Sequence, residues 1–386
     1  MSLDDDVRAE LRELEAAHLM RVPRIVDGAQ GAQVTVDGLG VASFASNDYL
    51  GLASDPRLAA AAAAVLDESG LGIGASRLIV GNHRQHVALE SELADWTRCE
   101  GTRLFNTGYA ANVGVLTTLL RDGDVVFSDA LNHASIIDGC RLSRATIRIY
   151  PHLDLGALER ELVASQARRR VVVSESLFSM DGDVADVARL AALCRTHSAA
   201  LILDEAHAMG VIGPEGRGVA AEANVVPDVL VGTFGKALGS FGAFAATTPS
   251  IAMLLWNRAR PLVFSTGMPP SIAAASRAAL AIARGIEGEE RRRVLVARGN
   301  QLRLGLSGAG RLGGDPRSPI VPLHVGDDHR VVQLAQQLFE QRLLVASVRP
   351  PTVPVGTARL RLSLSAAHSV EDVGRLALQI TRCVTA

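Results

Sequence analysis

Through the middle of the chain, short aliphatic runs alternate with longer stretches whose apolar positions recur at helical spacing. The runs are Val125-Val126-Phe127, Ile147-Arg148-Ile149, Val171-Val172-Val173, Leu201-Ile202-Leu203, Val229-Leu230-Val231 and Ala243-Phe244-Ala245. Runs this short and this apolar read as buried strands. Their alternation with helices predicts an α/β fold over residues 46–285, a mainly parallel sheet between helical layers. Upstream, Val7, Leu11, Leu14 and Leu19 keep helical spacing until Pro23 and a glycine-rich passage at 28–40, which predicts an amino-terminal arm over 1–45. Downstream, a Gly/Ser/Pro-rich passage at 305–319 is followed by Ile320-Val321-Pro322-Leu323-His324-Val325, a helical pattern at 331–341 and the alternating Ala358-Arg359-Leu360-Arg361-Leu362-Ser363-Leu364. That order predicts a smaller α+β carboxyl-terminal domain over 286–386.

Composition narrows the function classes. The 386 residues are 48% hydrophobic, ordinary for a folded globular protein, and the formal charge of −2 leaves no electrostatic footprint for nucleic acid. The clusters Arg168-Arg169-Arg170 and Arg291-Arg292-Arg293 lie among helix formers and read as solvated faces. Cys99, Cys140, Cys194 and Cys383 are scattered without C-x-x-C spacing, which fits reduced thiols in a cytoplasmic enzyme, and no metal-ligand spacing is visible. The acidic start, Asp4-Asp5-Asp6, is unlike a secretory signal, and the longest apolar run, 58–66, is too short to span a bilayer.

The candidate chemistry sits where the runs end. Asp204 follows Leu201-Ile202-Leu203, and Lys236 follows Val229-Leu230-Val231 inside Thr233-Phe234-Gly235-Lys236-Ala237-Leu238-Gly239. Taken singly, a lysine is a surface charge and an aspartate a helix cap. At the carboxyl edge of one sheet the two become a pyridoxal-phosphate site: the lysine amine can form a Schiff base with an aldehyde, and the carboxylate can keep a pyridine nitrogen protonated. His133 leaves the end of another run, where it can stack on the ring and polarise a substrate, and His207 can donate to the ring hydroxyl oxygen. Gly108 and Tyr109 open a helical pattern after Asn106-Thr107, a place for phosphate or simply a capped turn. Ser179, Thr233, Ser265 and Thr266 are further candidate cofactor contacts, the hydroxyls of 265 and 266 reaching phosphate, and Glu175 a candidate beside the substrate.

Taken together, Ser46-Asn47-Asp48-Tyr49-Leu50-Gly51-Leu52, Gly74-Ala75-Ser76-Arg77, the His133 segment, Asp204-Glu205-Ala206-His207, Thr233-Phe234-Gly235-Lys236 and Arg359-Leu360-Arg361 resemble the α-oxoamine synthases, over residues 21 to 365. The resemblance implies fold type I with a mainly parallel seven-stranded sheet, pyridoxal 5′-phosphate as cofactor, and a homodimer with active sites shared by two chains. It assigns catalysis to Lys236, His133 and Asp204, with Lys236 moving the Cα proton. It implies that Arg361 holds the amino-acid carboxylate, that His133 polarises the thioester carbonyl, and that Asn47 is a further substrate-binding residue. Arg349-Pro350-Pro351-Thr352-Val353-Pro354 is similar to the branch that joins L-alanine to a pimeloyl thioester, which implies Arg21 at the distal carboxylate and Thr352 in the turn that closes over the substrate. Arg21 has an equally good reading as a helix-end cation. A glycine-dependent acyltransferase shares every motif, an aminotransferase-like enzyme shares the fold, and the acyl carrier, coenzyme A or a carrier protein, stays open. One departure is local: many relatives carry Gly-Gly where this chain has Gly74-Ala75.

Overall fold

A computed structural model describes residues 2–17 and 19–385. In chain order its strands are β1 (Val26–Asp27), β2 (Gln33–Val36), β3 (Leu39–Phe44), β4 (Gly101–Phe105), β5 (Val125–Asp129), β6 (Thr146–Tyr150), β7 (Arg170–Glu175), β8 (Ala200–Asp204), β9 (Val229–Thr233), β10 (Ala243–Thr247), β11 (Ile320–Gly326), β12 (Leu343–Val348) and β13 (Ala358–Ser363). Seven of them form one sheet in the order β4-β10-β9-β8-β7-β5-β6. The pairings from β6 through β9 are parallel, and β10 alone runs against its two neighbours.

The apolar runs explain the layering. Successive strand side chains point to opposite faces. Accordingly Phe127, Val172, Leu201, Leu203 and Leu230 enter one core, while Val126, Val171, Val173, Ile202, Val229 and Val231 enter the other. A central strand buried on both sides must be apolar at every position, which is why these runs do not alternate. The parallel strands also end together, so Asp129, Glu175, Asp204 and Thr233 share one rim.

The second sheet, ordered β1-β2-β3-β12-β13-β11, revises the expected amino-terminal arm. Residues 26–44 are not an appendage: β3 pairs in parallel with β12, and β1 to β3 complete the carboxyl-terminal sheet. The glycine-rich passage conceals a hairpin whose turn, Asp37-Gly38, takes positive φ at both residues. The helix Leu3–Ala16, started by a Ser2/Asp5 capping box, ends before Leu19, and none of its residues is buried. Helices Pro270–Arg284 and Ile286–Gly305 meet at Gly285 and join the two parts of the chain. Among the described residues no helix is long and apolar enough to cross a membrane.

Candidate functional site

β8 sets Asp204 beside Glu175 of β7 in register, and both carboxylates are buried. Their surroundings differ. Asp204 Oδ2 accepts from the Asn112 amide at 2.7 Å and Oδ1 from the Ala206 N–H at 2.8 Å, whereas Glu175 Oε1 has no hydrogen-bond partner. Burial, and after it the Asp204 charge, pushes the Glu175 carboxyl well above the usual carboxylate range.

Asn112 extends the network. Its amide also donates to Ser135 Oγ at 2.9 Å, and that hydroxyl lies 2.8 Å from His133 Nδ1. Nδ1 further accepts the Ser135 N–H, so the ring proton belongs on Nε2. Burial holds this imidazole below its ordinary pKa, with Asp204 pulling upward and Lys236 downward, and His133 is a neutral donor at the cleft. Nothing in the sequence reading had given Asn112 a role; a polar residue one turn beyond Gly108, on the buried side of an apolar helix, was the available signal.

Lys236 follows β9 in a turn closed by the Gly239 N–H to the Lys236 carbonyl at 2.9 Å. Gly239 has φ 58°, and a Cβ there would stand 2.4 Å from the Ala53 nitrogen, so only glycine lets this turn press on the neighbouring segment. Burial lowers the Lys236 pKa against the pull of the Asp204 and Glu175 carboxylates, and the Arg361 charge lowers it further. Thr233 uses its hydroxyl within the same turn, donating to the Gly242 carbonyl at 2.9 Å and accepting the Gly235 N–H at 3.2 Å.

His207 is buried, and Tyr49 Oη lies 2.7 Å from its Nδ1, closer than the 3.1 Å from Oη to Asn47 Oδ1. Burial, then the positive charges of Lys236 and Arg361, hold His207 far below its ordinary pKa. Arg361 on β13 donates to the Ser179 carbonyl at 2.6 Å, to Ser363 Oγ at 2.7 Å, to Asn47 Oδ1 at 3.1 Å and to Tyr49 Oη at 3.3 Å. All of these acceptors are neutral oxygens. Arg359, two residues earlier on the same face, is paired with the Asp181 carboxylate.

A second group forms at the helix Gly108–Leu119. Thr107 Oγ1 caps the Ala110 N–H at 3.0 Å, so the capped-turn reading holds, and Gly108 faces open space, with no atom within 4 Å of where a Cβ would stand. Asn106 draws the other loop close by donating to the Thr266 carbonyl at 2.8 Å, which brings Ser265 and Thr266 beside the helix start. Tyr109 donates its hydroxyl to Asp138 at 2.6 Å. The Gly74-Ala75-Ser76-Arg77 motif supports this loop: Ser76 bridges to Thr266, the Ala75 carbonyl accepts the Gly267 N–H, and Arg77 pairs with Glu90 at 2.6 Å. Gly74 takes φ 66°, while Ala75 stays out of the left-handed region, so its Cβ is accommodated.

Arg21 lies five residues beyond the end of the first helix, which removes the helix-end reading. Its Nη2 is 3.5 Å from Thr352 Oγ1, and Arg349 donates to the Met20 carbonyl at 2.8 Å. Burial and the nearby Arg21 charge depress the Arg349 pKa. Thr352 borders a cavity of about 520 Å³ lined also by Ile137, Phe178, Met180 and Val353.

The constellation fits a pyridine ring: a buried, hydrogen-bonded carboxylate at a strand end, two neutral imidazoles, a nearby lysine and an open helix start for phosphate. Among the described residues no group of His, Cys, Asp and Glu is arranged to hold a metal ion. Residues 40–380 match the aminotransferase class I and II family. The 8-amino-7-oxononanoate synthase of Marinobacter nauticus is 44% identical over 374 residues, 96% of this chain and 94% of that protein. The chain belongs to the α-oxoamine synthases. A serine palmitoyltransferase from S. paucimobilis, solved with PLP and myriocin bound, superposes with a TM-score of 0.92 at 30% identity, covering 98% of this chain and 96% of that one. An 8-amino-7-oxononanoate synthase from Francisella tularensis superposes at 0.78 with 28% identity, covering 89% and 98%. The fold is fold type I, and this α-oxoamine synthase is a pyridoxal-phosphate-dependent acyltransferase.

Proposed function

We propose that the chain condenses L-alanine with a pimeloyl thioester, releasing carbon dioxide and free thiol and giving 8-amino-7-oxononanoate, the activity named for its relatives. The observation that carries this reading is the Arg361 guanidinium, buried beside Lys236 and surrounded by neutral oxygens only. A buried cation without an anion is costly, and a planar fork is the natural mate of an amino-acid carboxylate. Bound pyridoxal phosphate supplies the electron sink for bond cleavage at Cα.

The chain's own residues do the rest. Asp204, held in place by its two donors, would face the protonated ring nitrogen, and His207 would donate to the ring oxygen. Gly108, Tyr109, Ser265 and Thr266 would hold the phosphate. Arg361 and Asn47 hold the alanine carboxylate so that the Cα–H bond faces Lys236, whose lowered pKa suits it to take and return that proton near neutral pH. His133 donates from Nε2 to the thioester carbonyl as charge develops there. Thr352 and the cavity beside it, with Ile137, Phe178, Met180 and Val353 on its walls, receive the acyl chain, and Arg21 its terminal carboxylate. A homodimer is supported by the exposed Leu71, Ile79, Val80 and Phe264, which cluster in sequence around the Ser76 and Thr266 loops as a surface for a second copy.

Mixing the protein and cofactor with panels of amino acids and acyl thioesters, followed by mass detection of product, tests the assignment. Alanine and pimeloyl thioester should give the principal product, and preference for glycine would overturn the alanine assignment. Arg361→Ala should raise the alanine concentration needed for saturation by about tenfold or more, with poor rescue by lysine, since losing a charged hydrogen bond costs about 1.5–3 kcal/mol. Unchanged alanine saturation would show that another residue binds the carboxylate. Arg21→Ala should depress turnover of pimeloyl thioester far more than that of an uncharged acyl thioester of equal length, and leave the alanine-induced absorbance change intact. Equal loss with both thioesters would assign Arg21 to the fold or to the thiol carrier.

A further inference from the structure

His152, just past β6 on the same rim, takes no part in the chemistry above. Both of its ring nitrogens meet carboxylates: Nδ1 is 2.8 Å from Asp129 Oδ1 and Nε2 is 2.7 Å from Asp183 Oδ2. A neutral imidazole has one N–H, so one of these contacts would set a lone pair against an anion; the doubly protonated ring satisfies both. Asp129 is itself fixed at the end of β5 by the Leu131 and Leu153 N–H groups, each at 2.9 Å.

Asp183 belongs to a short hairpin, residues 176–185. It is closed by Ala185 N–H to the Ser176 carbonyl at 2.9 Å, Phe178 N–H to the Asp183 carbonyl at 3.0 Å and a bridge between Leu177 and Val184. The hairpin's tip is held from the other side of the cleft. The Ser179 carbonyl accepts from Arg361, Asp181 pairs with Arg359, and the Gly182 carbonyl accepts the Asp315 N–H at 2.9 Å. The His152 ring also stands edge-on to Phe178, 4.4 Å between centroids at 86°, and Phe178 and Asp181 both line the 520 Å³ cavity.

We propose that His152 is a positioning residue, a clamp bridging Asp129 and Asp183 that fixes the 176–185 hairpin to the large sheet and so sets the wall of the acyl cleft. This rests on the acyl-thioester reading of that cavity. Burial alone would lower the His152 pKa, but the hydrogen bonds to Asp129 and Asp183 outweigh it and raise the group to about 10. The charged groups facing it are those two carboxylates, with the buried Tyr150 hydroxyl of β6 beside Asp129. Because the folded pKa is raised, the clamp is complete below the ordinary imidazole pKa and is lost only as pH rises through about 10.

The test compares wild-type holoenzyme with His152→Gln and Asp183→Asn, reading KM for pimeloyl thioester, KM for alanine and the alanine-induced absorbance change. In both variants the thioester KM should rise about tenfold, the equivalent of one tenfold step in affinity. Alanine saturation should stay within about twofold, because Asn47, Ser363 and Tyr49 still hold Arg361. In Asp183→Asn the imidazole keeps one carboxylate and its pKa falls, so thioester KM should climb between about pH 6.5 and 8.5 where wild type is flat. A purely structural residue would not create that pH step. Unchanged thioester KM beside an active wild type, or a flat pH profile in Asp183→Asn, overturns the clamp. If His152→Gln does not fold, the Asp183→Asn profile decides alone. A wild type that does not turn over pimeloyl thioester overturns the functional reading, and the acyl role of the clamp with it.

Discussion

Lys236→Ala should be inactive to within detection. In the proposed function the lysine amine is both the anchor of the cofactor and the carrier of the Cα proton, and loss of a positioned base alone costs about 10²–10⁴-fold. Wild-type protein should be yellow, and borohydride should fix the cofactor to the peptide that contains Lys236. The turn that presents the amine does not depend on the side chain, since its bonds run from the Gly239 N–H to the Lys236 carbonyl and from Ser240 to Phe234. The variant should therefore fold normally and still bind pyridoxal phosphate, non-covalently. Label on another lysine would overturn the assignment.

Asp204→Asn should retain the cofactor but lose proton abstraction by on the order of 10²–10³-fold, the scale seen when one preorganised electrostatic group is removed. Two effects act together. A neutral amide cannot hold a proton on the ring nitrogen. Its NH₂ would also face one of the two donors, Asn112 or the Ala206 N–H, that now bond the carboxylate. Solvent deuterium exchange at the alanine Cα reads this step apart from the acyl half of the reaction. Exchange near the wild-type rate in the variant would remove the electron-sink role from Asp204.

The central strands were legible because burial on both faces leaves an unbroken apolar signature, as in Val171-Val172-Val173. β4 was not: it is an edge strand whose residues, Gly101-Thr102-Arg103-Leu104-Phe105, include no comparable run. β12 was hidden by proximity, since it begins three residues after the helix Asp328–Glu340 ends and its leucines continue that helix's apolar pattern. Residues 26–44 read as an arm because their partner strand lies about 300 residues away, and no local pattern reports a pairing that distant.

The site divides along the same line. Asp204, Lys236, His133 and His207 stand at strand ends or in special turns, where residue type and position mark them. Asn112 and His152 act through neighbours from other segments, so their significance lies in contacts that sequence spacing does not reveal. Thr233 shows the opposite limit: the motif marks the residue, yet its hydroxyl is occupied by its own turn.

Arg361 is held by β13 and the Asn47 segment, whereas the Arg21–Thr352 pair rests on the chain beyond the first helix and the turn before β13. In the proposed function the amino-acid gauge and the chain-length ruler therefore sit on separate mounts. Moving the basic residue along the short Leu19 to Val22 stretch should retune the preferred diacid length while the amino-acid choice stays put, which makes this stretch the natural place to engineer longer or shorter amino-keto acids.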